Sequence, residues 1–204
     1  KAVISAFNDF GYHISGLNFT ILSEIPADAG LGTPNALKTA TALILRKMFA
    51  PKLTKSDLVD ILEHANVQHL NTYAHRADIL CALFAKSNHC VRTDHRKKTA
   101  DIYPFPIEGH SIILTDSRVP RIIAREELTA RLDECVEAYE LVKKQPDMPK
   151  NMMHLTEKML EEIDIPESVR RRVTYIIRES LSVDEAVDAL KRKDNIMLSR
   201  ILNR

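Results

Sequence analysis

Pro26-Ala27-Asp28-Ala29-Gly30-Leu31-Gly32-Thr33-Pro34-Asn35-Ala36-Leu37 is the most informative stretch of this 204-residue chain and holds two of its five glycines. An apolar run over residues 17–22 precedes it, and a helical pattern follows it. A Gly-x-Gly turn at a helix start leaves backbone N–H groups free and lets an anion approach closely. The helix dipole adds partial positive charge at the same place. Thr33 is the expected N-cap, with Pro34 at the first helical position, where proline is well tolerated. Taken alone, residues 30–33 read either as a phosphate cradle or as a capped strand–turn–helix junction.

Outward from this turn, the pattern alternates between helices and short strands. Residues 2–10 carry apolar side chains at helical spacing and stop at Gly11. Residues 17–22 read as a strand delivering the glycine turn. Residues 35–48 read as a helix that buries Ala36, Leu37, Ala40, Leu43, Ile44 and Lys47. Ser56 is the expected N-cap of a helix over 57–69, and 77–86 is a further helix. His64 and His69 stand five residues apart, a spacing that puts them on different faces of an α-helix. They are therefore expected to be ordinary helix histidines and not metal ligands. Strands are expected at 89–93, 101–105 and 111–115. Helices are expected at 125–144, 151–163, 167–180, 183–191 and 195–202, punctuated by Pro146, Pro149 and Pro166. The character switches near Arg118, the expected domain boundary.

Composition bounds the function classes. Hydrophobic residues make up 45% and charged residues 28%, ordinary values for a globular chain. The net charge of +1 gives no global field toward nucleic acid or membrane. The basic clusters Arg92, His95, Arg96, Lys97, Lys98 and Arg170, Arg171, Arg172 lack interleaved aromatics and read as solvated faces. No apolar run is long enough to span a membrane. Three widely spaced cysteines, Cys81, Cys90 and Cys135, suggest a reducing compartment, and the expected location is cytoplasmic.

The ordered motifs resemble those of the GHMP kinases. Residues 26–37 resemble the family pattern Pro-x-x-x-Gly-Leu-Gly/Ser-Ser-Ser-Ala-x-Leu, and Ser23-Glu24-Ile25-Pro26 resembles the Ser-Asp-Ile-Pro lead-in of galactokinases. Asp78 with Leu83-Phe84-Ala85-Lys86 resembles Met-Asp-Gln-Phe-Ala-Ser-Leu-Phe-Gly. Tyr103-Pro104-Phe105-Pro106 and residues 111–117 resemble a strand pair ending in Cys-Asp-Thr/Ser, and Arg131, Glu134 and Cys135 match part of Tyr-Asn-x-Arg-Arg-x-Glu-Cys.

The resemblance implies an α/β fold of the two-domain GHMP type. An N-terminal α/β part is expected over 1–118 and a helix-rich part over 119–204. It implies ATP-dependent phosphorylation of the C1 hydroxyl of galactose or a related sugar, with Mg²⁺. Gly30, Leu31, Gly32 and Thr33 would bind the ATP phosphates, and Asp78 would be the catalytic base, although a carboxylate at a helix start also serves as a cap. Arg131 is a candidate sugar contact. The partners implied are a small sugar and a nucleotide, with no nucleic acid and no membrane.

The chain also departs from the pattern. Pro34 replaces a Mg²⁺-ligating serine and has neither a side-chain oxygen nor an N–H. Asn66 aligns with a glutamate Mg²⁺ ligand, and Glu63, one turn earlier, is the alternative metal residue. The Tyr and Asn of the sugar-contacting run appear as Leu128 and Thr129. The family's Gly-Glu-His-x-Asp sugar segment and its Gly-rich third motif would lie before Lys1 and after Arg204. These departures leave a second reading open, a catalytically impaired relative that binds nucleotide or sugar, and a third, a GHMP kinase with another acceptor.

Overall fold

The computed structural model describes residues 1–26, 29–94, 97–105, 109, 113–115, 121–149 and 154–204. They form eight α-helices, one π-helical turn and a two-stranded antiparallel sheet. The chain divides into two compact units, Lys1–Phe105 and Pro106–Arg204. The expected boundary near Arg118 lies outside the described residues.

The first unit opens with α1 (Ala2–Asp9), which buries Val3, Ala6 and Phe7 and stops where Gly11 takes a positive φ of 82°. Its length matches the apolar spacing of the sequence. Residues 17–22 differ from expectation. They form no strand, and Ile21 and Leu22 are exposed. A strand requires a ladder partner for its N–H and C=O groups, and no other strand pairs with this run among the described residues.

Helix α2 (Thr33–Phe49) follows. Its N-cap is Gly32, not Thr33, and Pro34 is the second helical residue. Gly32 adopts φ 71°, ψ 18°, a left-handed conformation that costs glycine nothing, and its carbonyl accepts from Asn35 N and Ala36 N, each at 3.0 Å. The buried stripe of α2 is Asn35, Thr39, Ala42 and Leu45, whereas Leu37 and Ile44 are exposed. The stripe is thus rotated from the one expected, because the helix packs its polar Asn35 and Thr39 toward the rest of the unit.

Helix α3 (Lys55–His64) is capped by Thr54, not Ser56. Thr54 Oγ1 accepts from Asp57 N at 3.2 Å, while Asp57 Oδ2 accepts from Thr54 N at 2.7 Å, a reciprocal capping box. The helix does not run on regularly to residue 69. It changes into a π-helical turn, Ala65–His69, before α4 (Arg76–Phe84). The π turn realigns residues five apart, so His64 and His69 both reach Asp9, contrary to the different faces expected of them. Leu58, Val59, Ile61, Leu62, Ile79 and Leu80 complete a single apolar core with α1 and α2.

Strands β1 (His89–Asp94) and β2 (Thr99–Pro104) pair antiparallel from His89↔Pro104 to Asp94↔Thr99, as the β-branched pattern predicts. The third expected strand, 111–115, lies partly outside the described residues. The described part, 113–115, is not in a strand, and Ile113 and Leu114 are exposed.

The second unit is helical. α5 (Arg121–Lys143), α6 (Glu157–Glu161) and α7 (Glu167–Arg192) enclose Ala138, Val142, Leu155, Leu160, Ile165, Val173 and Ile177, and α8 (Asn195–Leu202) packs against α7. Helix α6 is shorter than the 151–163 expected, of which 151–153 lie outside the described residues. The two helices expected over 167–180 and 183–191 are one helix, α7. Neither Gly nor Pro interrupts it, and Ser180 bonds back to Ile176 O at 2.9 Å inside the helix instead of breaking it. None of the described helices is long and apolar enough to cross a membrane.

Candidate functional site

The start of α2 and the start of α4 face each other. α2 begins after two glycines with positive φ, Gly30 at 72° and Gly32 at 71°, and a Cβ built on either glycine meets nothing within 4 Å. The backbone there is open on its Cβ side among the described residues. Leu31 is exposed, and Thr33 begins the helix without a side-chain cap at Gly32. Pro34 has no N–H and the Asn35 and Ala36 N–H groups bond to Gly32 O, so the helix dipole and the backbone N–H groups of residues 30–33 are what favour negative charge here.

Asp78 sits in the first turn of α4, after His75 at φ 54°. Its Oδ2 accepts from Asn35 Nδ2 at 2.9 Å. The carboxylate therefore reaches across to the first turn of the helix that Gly32 opens. His75 Nδ1 stands 3.7 Å from the same oxygen. Asn35 is buried, and among the described residues its own Oδ1 has no hydrogen-bond partner, nor has the buried Thr39 Oγ1 one turn on.

Lys38 follows Asn35 by one turn on α2 and donates from Nζ to Asn66 Oδ1. Burial pushes its ammonium below the ordinary lysine range, and the negative charge of Asp78 pulls it partly back. Asn66, fully buried in the π turn, donates from Nδ2 to Ala74 O at 2.8 Å. Both ends of its amide are thus in use. Glu63 is committed as well. Arg76 donates to it from Nε and from Nη2, the latter at 2.6 Å, and the pair holds the guanidinium in its charged form.

Arg131, the candidate sugar contact, lies on α5 in the second unit and is exposed. Its Nη1 is 3.0 Å from Glu134 Oε2, an oxygen that also accepts from Arg172.

With Gly30, Gly32 and Asp78 thus placed, comparison with known proteins is informative. Residues 1–86 match the family described as the GHMP kinases N terminal domain. The match takes in α1 to α4, less than half of the chain. The full chain is 63% identical over 204 residues to a Treponema pallidum protein named "Putative galactokinase", covering 51% of that protein. It is 29% identical over 202 residues to the galactokinase of Thermotoga maritima, covering 56% of it. A galactokinase of Roseiflexus sp. is 23% identical over 205 residues, with 52% covered. The chain thus spans about half the length of the relatives it matches.

The mixed helix and strand of the chain agree with a partial GHMP-type α/β fold. Within the matched residues, two residues of the site were not anticipated, Asn35 and Lys38. The family pattern has alanine where Asn35 stands, so a polar residue at an alanine position was the available signal. Lys38 carried no such signal. Its partner Asn66 lies 28 positions on, and only the packing of α2 against the π turn joins them.

Proposed function

We propose that the chain carries the phosphate and acceptor site of an ATP-dependent sugar kinase acting on the C1 hydroxyl of galactose or a related sugar. The observation that carries this reading is the bond from Asn35 to Asp78, which sets a carboxylate beside the first turn of the helix opened by residues 30–32. Residues 30–33 would hold ATP phosphates on backbone N–H groups. The half-exposed Asp78 carboxylate would accept the proton of the sugar hydroxyl while that oxygen bonds to the γ-phosphorus and the bond to the departing ADP oxygen breaks. Asn35 would orient Asp78, leaving its second oxygen for the substrate proton.

A kinase of this kind implies Mg²⁺, and the residues present do not suit it. A hard divalent cation seeks carboxylates and water. Here Pro34 offers no ligand, the Asn66 oxygen already accepts from an ammonium, and the Glu63 oxygens are taken by a guanidinium. We therefore assign no step to Mg²⁺. Lys38, half-buried and paired with a neutral amide, would supply positive charge toward the phosphates.

Titration of the whole chain with ATP, in EDTA and in Mg²⁺, tests this. The expected result is binding that Mg²⁺ does not strengthen. Lys38→Met should weaken it about tenfold or more, the worth of a charge-assisted hydrogen bond. Asp78→Asn should preserve ATP binding and remove any galactose-dependent ADP release. No ATP binding at all overturns the reading. ATP binding without ADP release supports instead a nucleotide-binding relative, which the loss of the motif serine at Pro34 favours.

A further inference from the structure

We propose that Asp9, His64 and His69 form a binding site for a divalent transition-metal ion of the zinc type, which clips the end of α1 to the π turn. The three ligands come from separate pieces of the first unit: the last turn of α1, the last residue of α3, and the last residue of the π turn. Their ligand atoms converge. His64 Nε2 is 2.9 Å and His69 Nε2 is 2.7 Å from the same oxygen, Asp9 Oδ2, and all three atoms lie within 4.8 Å of one another.

Convergence of this kind is not what a helix gives by default. On a regular α-helix, residues five apart point about 140° away from each other. The i→i+5 bonding of the π turn removes that offset, and the two imidazole rings stand 5.6 Å apart, centre to centre. A π turn in place of continued α-helix is uncommon, and such turns recur at functional sites. Here its consequence is the pairing of two imidazoles on one carboxylate.

Two imidazoles and one carboxylate are borderline ligands, suited to Zn²⁺ and its first-row neighbours and poorly suited to Mg²⁺ or Ca²⁺. Tetrahedral zinc with nitrogen and oxygen ligands separates its ligand atoms by about 3.3 Å. The two nitrogen–oxygen separations are shorter than this by roughly half an ångström, so small side-chain rotations would admit the ion. Side-chain exposures of 44% for Asp9, 32% for His64 and 27% for His69 leave the outer side open for entry and for a water as fourth ligand. Phe10 packs edge-on against His64, with centroids 5.4 Å apart, and limits that ring's movement. In the empty site each Nε2–H donates to Asp9 Oδ2. On binding, each imidazole gives up that Nε2 proton, by tautomerising to Nδ1–H or by release to solvent, and gives the freed Nε2 lone pair to the metal.

The inner side of the same π turn carries Asn66, which holds Lys38. A metal on the outer face would therefore stiffen the turn that positions that pair. The site itself stands independently of the proposed kinase function.

The test uses the whole chain with Cys81, Cys90 and Cys135 changed to Ser, so that thiolates do not compete. Zn²⁺ is titrated calorimetrically in a non-coordinating buffer, and Co²⁺ is followed by its d–d absorption. One ion per chain is expected, with slower amide exchange over 65–69 and a higher melting midpoint, since the ligand binds only the folded state. His64→Gln, His69→Gln and Asp9→Asn should each weaken binding at least about tenfold. Circular dichroism in EDTA checks that each variant is folded, and the isosteric Asp9→Asn decides the matter if a histidine variant is not. Unchanged stoichiometry and affinity in the folded variants, or no binding by the parent at millimolar Zn²⁺, overturns the site.

Discussion

Asn35 donates to Asp78 across the gap between the first turns of α2 and α4, at 2.9 Å. Asn35 is only 6% exposed; its backbone N–H donates to Gly32 O and its side-chain amide to Asp78. Replacing it by Asp puts two carboxylates within hydrogen-bond distance with one side buried. At neutral pH, Asn35→Asp should lower stability by about 1–3 kcal/mol, the cost of an unmet buried acceptor. The pair Asn35→Asp with Asp78→Asn should recover most of it. A urea midpoint equal to the parent's in the single variant would show that the bond contributes nothing.

The glycine turn separates strain from blockage. Gly32 has a left-handed φ yet ample space around a built Cβ. Gly32→Val should therefore lose about 1–2 kcal/mol through backbone strain alone, besides losing ATP binding. Asn tolerates the left-handed region, so Gly32→Asn should melt close to the parent while its side chain still obstructs the cradle. Comparing melting midpoints and ATP titrations for the two variants distinguishes the effects. Parent-like ATP affinity in Gly32→Asn removes phosphate binding from this turn.

Local chemistry made much of the first unit legible. The apolar spacing before Gly11, the β-branched run of 89–93 and the helix after Pro34 each carry their own signal, and α1, β1 and α2 follow it. What failed depended on partners. Residues 17–22 have strand composition but no ladder partner among the described residues. Ser56 and Thr54 are both good caps by type, and only the reach of Asp57 selects Thr54. The π turn has no composition signal, yet it decides where Asn66, His64 and His69 point. Asp78 was legible as a residue, while its bond to Asn35 needed two helices packed together.

Lys38 gives a prediction on the alkaline side. Burial, the larger influence, lowers its pKa in the folded chain, with Asp78 opposing. Between the lowered folded value and the ordinary lysine value, the unfolded chain binds more protons. Stability should therefore rise with pH across that window and level off above it. Lys38→Met removes the group and should remove that rise. The check is the difference between parent and variant denaturation free energies as pH is raised toward the ordinary lysine range. A difference independent of pH would mean that Lys38 is as well solvated folded as unfolded.

The capping box of α3 gives the opposite sign. The Thr54 N–H, then the Thr54 hydroxyl, hold Asp57 below the ordinary carboxylate range in the folded chain. The ionised form is thus favoured by folding. Its contribution is fully present above the unfolded pKa and is lost as pH falls through the lowered folded value. Asp57→Asn keeps an acceptor oxygen for the Thr54 N–H but cannot titrate, so it should flatten this part of the acid limb with little loss at neutral pH. Thr54→Ala removes the hydroxyl that accepts from Asp57 N and should cost about 1 kcal/mol at all pH values above the transition. It should leave part of the acid dependence in place, because the backbone N–H, the larger influence on Asp57, remains. Because Asp57 is almost fully solvated, added salt should shrink the acid-limb difference between parent and Asp57→Asn. The part of the Thr54→Ala loss that rests on the neutral bond from Asp57 N should persist in salt. Denaturation midpoints for the three proteins at low and high ionic strength, from neutral pH down into the acid range, would reverse this assignment if Thr54→Ala proved the salt-sensitive one.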